Sequence, residues 1–387
     1  MNIGIIDSDL LDNGTRHPNV ALMKISKYYK DNGHEVELLF NYENIKEYEK
    51  VFLSKVFDFT KIPIDLKDYP NIEYGGTGFF FDKAPNLPNE IEHHIPDYHL
   101  YDKWIEKELL RGIKKSYFLD YIDYSIGFAT RGCFRHCDFC VNKNCNKVVR
   151  HASIKEFVDT SRKNIYLWDD NILGFENWRE VFEELKEINK PFQFRQGLDL
   201  RLMTDEKADV LVHSKNKGDF IFAFDNIDEK EDIINKIKLW KDHYTGKGNT
   251  KLYVFCGFDR KGIYDLNFWK QDIMDTFERI KILMTYGCIP YIMRHENYEK
   301  SPYRGMYITL ARWCNQPSFF KKESLKEYVY ITDGIGREDK QYAAKRYIED
   351  FEKQFPDIAK RYYNLKFENL NIYNEKSLPC WQSLRTY

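Results

Sequence analysis

The sequence predicts an α/β protein, and three observations lead there. The chain opens with an apolar strand, an amphipathic helix and a second apolar strand. From about residue 121 apolar strands alternate with segments long enough for helices, and residues 316–387 are charged and helical in pattern. At 387 residues the chain exceeds a single small module and can bury a sizeable core.

Asn2 to Ile6 read as a short buried strand. Pro18, then Val20, Leu22, Met23, Ile25 and Tyr29, give a helix with proline near its first turn and Gly33 just past its end. Val36 to Phe40 and Lys50 to Phe57 are the next strands, a β-α-β opening that favours a parallel sheet with right-handed crossovers. Gly75, Gly76 and Gly78 form a turn whose amides can face an anion, but the lysine and hydroxyl of a phosphate loop are missing, so it reads as structural. Residues 91–120 read as a linker.

Six strands follow: Tyr124 to Thr130, Ile165 to Trp168, Phe192 to Phe194, Phe220 to Phe224, Leu252 to Phe255 and Ile289 to Met293. Segments such as Trp178 to Ile188 and Asp272 to Met284 supply the intervening helices of a (β/α)6 partial TIM barrel. The expected domains are therefore 1–90, α/β; 91–120, linker; 121–315, partial barrel; and 316–387, a helical C-terminal extension that packs against the barrel or covers its mouth.

Fifty-nine Lys and Arg against 61 Asp and Glu leave a net charge of −2, so no global field recruits nucleic acid or an anionic membrane. Eight cysteines stand at 133, 137, 140, 145, 256, 288, 314 and 380, and only the first four cluster, which is not the framework of a secreted disulfide scaffold. The N-terminus lacks a basic, apolar leader, and no stretch approaches the roughly 20 apolar residues of a membrane helix. A cytoplasmic, reducing location is expected, with no membrane partner.

Cys133, Cys137 and Cys140 carry the chemistry. Their C-x3-C-x2-C spacing can hold three irons of one [4Fe-4S] cubane and leave the fourth open to a substrate or cofactor. A structural zinc site completed by Cys145 is the plainer alternative, but such sites usually pair two distant C-x2-4-C knuckles. Cys145 and His136 read as loop residues rather than ligands.

With Phe139 just before the third cysteine, a strand-like run entering through Arg131 and Gly132, and Val149 to Ser153 opening a helical segment, the motif resembles that of the radical S-adenosylmethionine (SAM) superfamily. The resemblance implies a [4Fe-4S] cluster on Cys133, Cys137 and Cys140, SAM bound at the open iron, and a partial barrel. It also implies oxygen sensitivity, a one-electron donor such as flavodoxin or ferredoxin, and cleavage of SAM to methionine and a 5′-deoxyadenosyl radical that abstracts hydrogen from substrate. Phe139 would pack beside the adenine. At the polar strand ends, Asp169, Asn171, Gln196, Asp199, Asp225 and Asn226 are the expected SAM-facing shell, with Arg195 and Arg201 as carboxylate or substrate anchors; the Asp and Asn residues among them also read as simple helix caps.

The opening domain, Rossmann-like with Gly33-His34-Glu35-Val36 after its helix, resembles the cobalamin-binding type found before the radical core in one branch of the superfamily. The D-x-H-x-x-G element of that type is missing: Asp7 to Gly14 holds no histidine, and His17 stands three residues beyond Gly14. The domain reads as degenerate, and bound cobalamin is not expected. Two alternatives stay open, a cobalamin-dependent radical SAM methyltransferase acting on RNA or peptide, and a non-catalytic zinc or iron–sulfur protein that binds nucleic acid. A methylthiotransferase is disfavoured because residues 1–132 contain no cysteine. The substrate, whether nucleic acid, peptide or small molecule, is left open.

Overall fold

A computed structural model describes residues 1–374 apart from 16, 247, 335, 338, 339 and 342. The chain divides into two compact units, Met1–Gln196 and Gly197–Tyr387. Both are α/β with parallel sheets. No helix among the described residues is long and apolar enough to cross a membrane.

In the first unit, β1 (Asn2–Asp7), β2 (Glu35–Leu38), β3 (Lys50–Ser54) and β4 (Ile72–Gly75) make a parallel sheet ordered β2-β1-β3-β4. Ile3, Ile5 and Ile6 of β1 are fully buried, as a central strand covered on both faces requires. The helix Val20–Asp31 starts on Asn19, whose side chain accepts from the Leu22 amide, and ends before Gly33 at φ +80°. Asn19 also donates to Ser54 Oγ at 2.8 Å, tying the helix start to the end of β3.

Residues 91–120, expected as a linker, belong to this core. Ile91, Tyr98, Leu100, Tyr101, Ile105 and Phe118 are buried with Ile3, Ile5, Leu22 and Met23. Their Lys- and Glu-rich neighbours form the exposed face of the helix Asp102–Leu110, which hid the apolar face from a composition reading. The hydroxyls of Tyr98 and Tyr101 are each engaged twice. Tyr101 donates to Asp7 at 2.8 Å and accepts from the Asn19 amide at 3.0 Å. Tyr98 donates to the Phe157 carbonyl at 2.6 Å and accepts from the Ile126 amide at 2.9 Å.

Beyond this segment come β5 (Tyr124–Gly127), the two-residue strands β6 (Thr130–Arg131) and β7 (Val149–Arg150), β8 (Asn164–Leu167) and β9 (Phe192–Phe194). β5, β8 and β9 form a three-stranded parallel sheet in that order. Arg162, 7% exposed, donates to the carbonyls of Tyr98, Tyr121 and Tyr124, fixing the entry to β5.

The second unit holds β10 (Phe220–Ala223), β11 (Thr250–Cys256) and β12 (Ile289–Arg294), parallel in that order, with Leu198 bridging to Phe222. The six strands expected for the barrel thus occur as two parallel sheets of three, one in each unit. Buried Arg279 on the helix Leu266–Thr285 donates to the carbonyls of Phe224, Asp225 and Phe255, clamping the ends of β10 and β11.

The described part of the C-terminal extension packs on outer helices. Tyr362 stacks on Phe277 with ring centroids 5.2 Å apart and donates to Glu278 at 2.6 Å, while the Ile372 amide donates to the Thr285 carbonyl at 3.0 Å. A side chain at Gly305 would place its Cβ 2.1 Å from the Tyr347 ring. This packing is on the helical face of the second unit; residues 375–387, with Cys380, lie outside the described residues.

Two predictions follow from the Asp7 and Tyr101 pair. Burial pushes the Asp7 carboxyl up to about 6 despite the donors around it. A carboxyl raised on folding contributes stability fully below the unfolded value of 3.8, and that stability is lost as pH rises through about 6. Asp7→Asn should remove this slope, so that the difference in unfolding free energy between variant and wild type grows by up to about 3 kcal/mol from pH 4 to pH 7 in urea titrations. Tyr101→Phe leaves Asp7 and the Asn19 amide without their buried partner and should cost about 2 kcal/mol in the same titration.

Candidate functional site

The cysteines lie on a loop closed at its base by β6 and β7, which pair antiparallel with Thr130 opposite Arg150 and Arg131 opposite Val149. Gly132 begins the loop at φ +92°, and a Cβ there would fall 2.5 Å from the Lys147 carbonyl oxygen, so only glycine fits. Within the loop the Cys140 amide donates to the Cys137 carbonyl at 2.9 Å, and the Cys145 amide to the Asn142 carbonyl at 3.1 Å. His136, at φ +49°, donates from Nδ1 to the Lys143 carbonyl at 2.6 Å. That bond helps hold a left-handed backbone that a side chain disfavours.

Three consecutive residues after β8 hold the loop. Asp169, 5% exposed, accepts from the Ala129 amide, the Thr130 amide and the Thr130 hydroxyl, at 3.3, 2.5 and 2.6 Å. Burial pushes its carboxyl up to about 6, against those donors. Asp170 accepts from the Gly132 amide at 2.8 Å and from the Asn142 side chain at 2.7 Å, so one carboxylate joins both arms of the loop. Asn171, 3% exposed, donates from Nδ2 to Cys133 Sγ at 3.4 Å, and its Oδ1 is buried without a partner among the described residues.

The exit of the loop is held by Glu184 on the helix Trp178–Ile188, which pairs with Arg150 and accepts from the Ile154 amide at 2.8 Å. The segment after the glycine-rich turn also reaches it. Asp82 accepts from Asn144 at 2.9 Å, and Lys143 lies over the Phe81 ring at 5.3 Å.

All four loop cysteines are half-buried. Cys140 Sγ accepts from the Asn142 amide at 3.4 Å. Burial raises the Cys140 thiol, and Cys133, Asp170 and Cys145 act on it in the same direction. Cys145 has its Cβ 3.5 Å from the position a Gly132 Cβ would take, so the fourth thiol shares this neighbourhood. Among the described residues no three His, Cys, Asp or Glu side chains are gathered so as to hold a metal ion. Phe139 is half-buried on the same loop.

The other residues read as a cofactor shell divide between the two units. Asp169 and Asn171 are engaged with the cysteine loop itself, and Gln196 is exposed at the end of the first unit. In the second unit Arg201 pairs with Asp199 at 2.7 Å and with Glu229. Burial opposes the Arg201 charge, yet these two carboxylates hold its pKa above the ordinary guanidinium value. Asp225 accepts from the Phe255 amide at 3.2 Å, and burial among protein atoms pushes its carboxyl up to about 6. Asn226 accepts from the Asp228 amide at 3.1 Å and caps the short turn Ile227–Glu229, the plain role its position also allowed.

Sequence reasoning passed over Asp170, which bridges the loop, and, although it named Arg195 as an anchor, it did not see the cluster that Arg195 forms with His17, Asp120 and Tyr166. The signal for Asp170 was present, since Asp169-Asp170-Asn171 directly follows a strand buried throughout. The His17 cluster has no local signal, because its members come from segments far apart in the chain.

A stretch of 97 residues is 29% identical to a protein described as cytidylyl-2-hydroxyethylphosphonate methyltransferase from Streptomyces wedmorensis, covering 22% of this chain and 18% of that protein. The likeness is partial, spans less than a fifth of the relative, and is to an enzyme. No family model matches the chain.

The two aspartates predict separable outcomes. Asp169→Ala strands a buried hydroxyl and two amides and should lower the unfolding free energy by about 3 kcal/mol in urea. Asp170→Ala should leave global stability within about 1 kcal/mol, while amide exchange at Gly132 and through residues 133–145 accelerates in hydrogen–deuterium exchange.

Proposed function

We propose that this chain is a radical SAM enzyme whose cluster is held by Cys133, Cys137 and Cys140. The observation that carries the reading is the C-x3-C-x2-C loop, closed by β6 and β7 and anchored by Asp169, Asp170 and Asn171 at the carboxyl end of the neighbouring parallel strand. Parallel α/β sheets assemble their chemistry at that end. The residues present suit the group by donor chemistry: three thiols on one turn, with N–H donors from Asn171 and Asn142 directed at two of the sulfurs. N–H donors to sulfur favour thiolate and tune cluster potential.

When bound, the cluster and SAM supply one-electron cleavage to methionine and a 5′-deoxyadenosyl radical, with the electron from a flavodoxin- or ferredoxin-class donor. The chain's own contribution is placement. Asp169 fixes the strand-to-loop turn, Asp170 holds the two arms of the loop together, and Asn171 offers a buried amide oxygen beside Cys133 for a donor on a bound molecule. Phe139 would pack on the adenine, with Gln196 at the end of the first unit as a further contact. The N-terminal domain is a degenerate cobalamin-type module.

Methyl transfer is a second reading for the final reaction, favoured by the partial likeness to a protein named as a methyltransferase. The test is anaerobic reconstitution with iron and sulfide, reduction by dithionite with SAM, and assay for 5′-deoxyadenosine. We expect cluster-dependent 5′-deoxyadenosine from the wild type, and its loss with the cluster in Cys133→Ala, Cys137→Ala and Cys140→Ala, but not in Cys145→Ala. Zinc bound through all four thiols with SAM left intact would overturn the reading in favour of a closed structural site.

A further inference from the structure

Arg195 directly follows β9, and its guanidinium lies 4.7 Å from the centroid of the Tyr166 ring. It donates to His17 Nε2 at 3.1 Å. Because Nε2 accepts, the neutral imidazole carries its proton on Nδ1, and that atom is in close contact with Asp120, off the hydrogen-bond line. Tyr166 donates to the other oxygen of Asp120 at 3.0 Å. Asp120 is therefore engaged with His17 and Tyr166, and among the described residues no carboxylate pairs with Arg195.

The cluster is rich in donors and poor in acceptors. The remaining N–H groups of Arg195 have no acceptor among the described residues, and the indole N–H of Trp168, whose ring meets His17 edge-on at 5.6 Å, is likewise buried without one. A half-buried guanidinium without a counter-charge is costly unless an anion completes it. The His17 side chain is 33% exposed, so the cluster is open to solvent. It also adjoins the carboxyl ends of β8 and β9, where Trp168 immediately precedes the residues that hold the cysteine loop.

We propose that Arg195 and His17 form a subsite for an oxyanion group, phosphoryl or carboxylate, carried by the substrate. The guanidinium edge takes two oxygens in its planar fork, and His17 Nε2, released from Arg195, accepts a hydrogen bond from the hydroxyl of a monoprotonated phosphoryl group. Tyr166 supports the guanidinium face and Asp120 orients the imidazole. Calling the ligand a substrate rests on the radical SAM reading; the anion site itself does not.

The test is equilibrium dialysis of the full reconstituted chain against radiolabelled inorganic phosphate, with acetate as competitor and with or without saturating SAM. We expect saturable binding of one phosphate per chain that persists with SAM present. It should weaken about tenfold in Arg195→Met, as removal of a charge-assisted contact predicts, and less in Arg195→Lys. His17→Gln should weaken it as well, with circular dichroism confirming the fold of each variant. Displacement by equimolar acetate assigns a carboxylate ligand, and resistance to it a phosphoryl ligand. Absence of saturable binding, unchanged binding in folded Arg195→Met, or displacement by SAM overturns the proposal. Phosphate binding lost in Arg195→Met but without 5′-deoxyadenosine from the wild type would uphold the anion site and sink the radical reading; the reverse pattern would do the opposite.

Discussion

The cysteine loop depends on two adjacent carboxylates at the end of β8. Asp169 accepts three donors from the residues that leave β5, and Asp170 bridges the first residue of the loop to Asn142 within it. Seventeen-odd residues of irregular backbone carry many N–H groups that no sheet or helix satisfies, and a buried carboxylate is a strong acceptor for several at once. The arrangement converts strand position into loop position. Successive residues of a strand point to opposite sides, so neighbouring aspartates can take the two sides of the turn without competing.

Burial of these carboxylates has a cost that the surroundings meet only in part. Asp7, Asp169 and Asp225 all stand at strand ends, and all are pushed up to about 6 by burial despite their donors. Where the balance tips the other way, the partner is a full charge. Glu92 is held down to about 2, because the bonds from His151 and Lys24 outweigh its burial. Neutral donors organise a buried carboxylate, while cations are needed to keep it ionised. Asp7 and Asp169 in the first unit use the first device, the rim of the N-terminal core uses the second, and Asp225 in the second unit stays raised by burial even against the Arg279 charge.

Aromatic residues serve the same economy of hydrogen bonds. Tyr98 and Tyr101 bury their rings in the N-terminal core and place hydroxyls on strand-end groups that would otherwise be stranded, Ile126 in one case and Asp7 in the other. In the second unit Tyr307 donates to Asp272 on the helix Leu266–Thr285, which also receives the Gly257 amide. These aromatics pack in the core with polar tips, and Arg195 over Tyr166 is where such packing borders the candidate anion site.

Local pattern was enough for most strands and for the loop. Apolar runs marked β1 to β3, β5 and β8 to β12, Pro18 and Gly33 bounded the first helix, and Cys133, Cys137 and Cys140 stood out by spacing, because each signal lies within one turn or one strand of chain. β4 and the short pair β6 and β7 were not legible, and Val149–Arg150, read as opening a helical segment, is a strand that pairs with Thr130–Arg131. The core role of residues 91–120 was illegible, since their apolar face emerges only once the helix packs on Leu22 and Met23. Asp169 could be placed at a strand end, but whether it faces a ligand or Thr130 depends on the path of the chain after β5. The meeting of His17, Asp120, Tyr166 and Arg195 lay furthest from the sequence. Periodicity is a property of neighbouring residues, whereas hydrogen-bond partners more than a hundred residues apart are chosen by the folded chain.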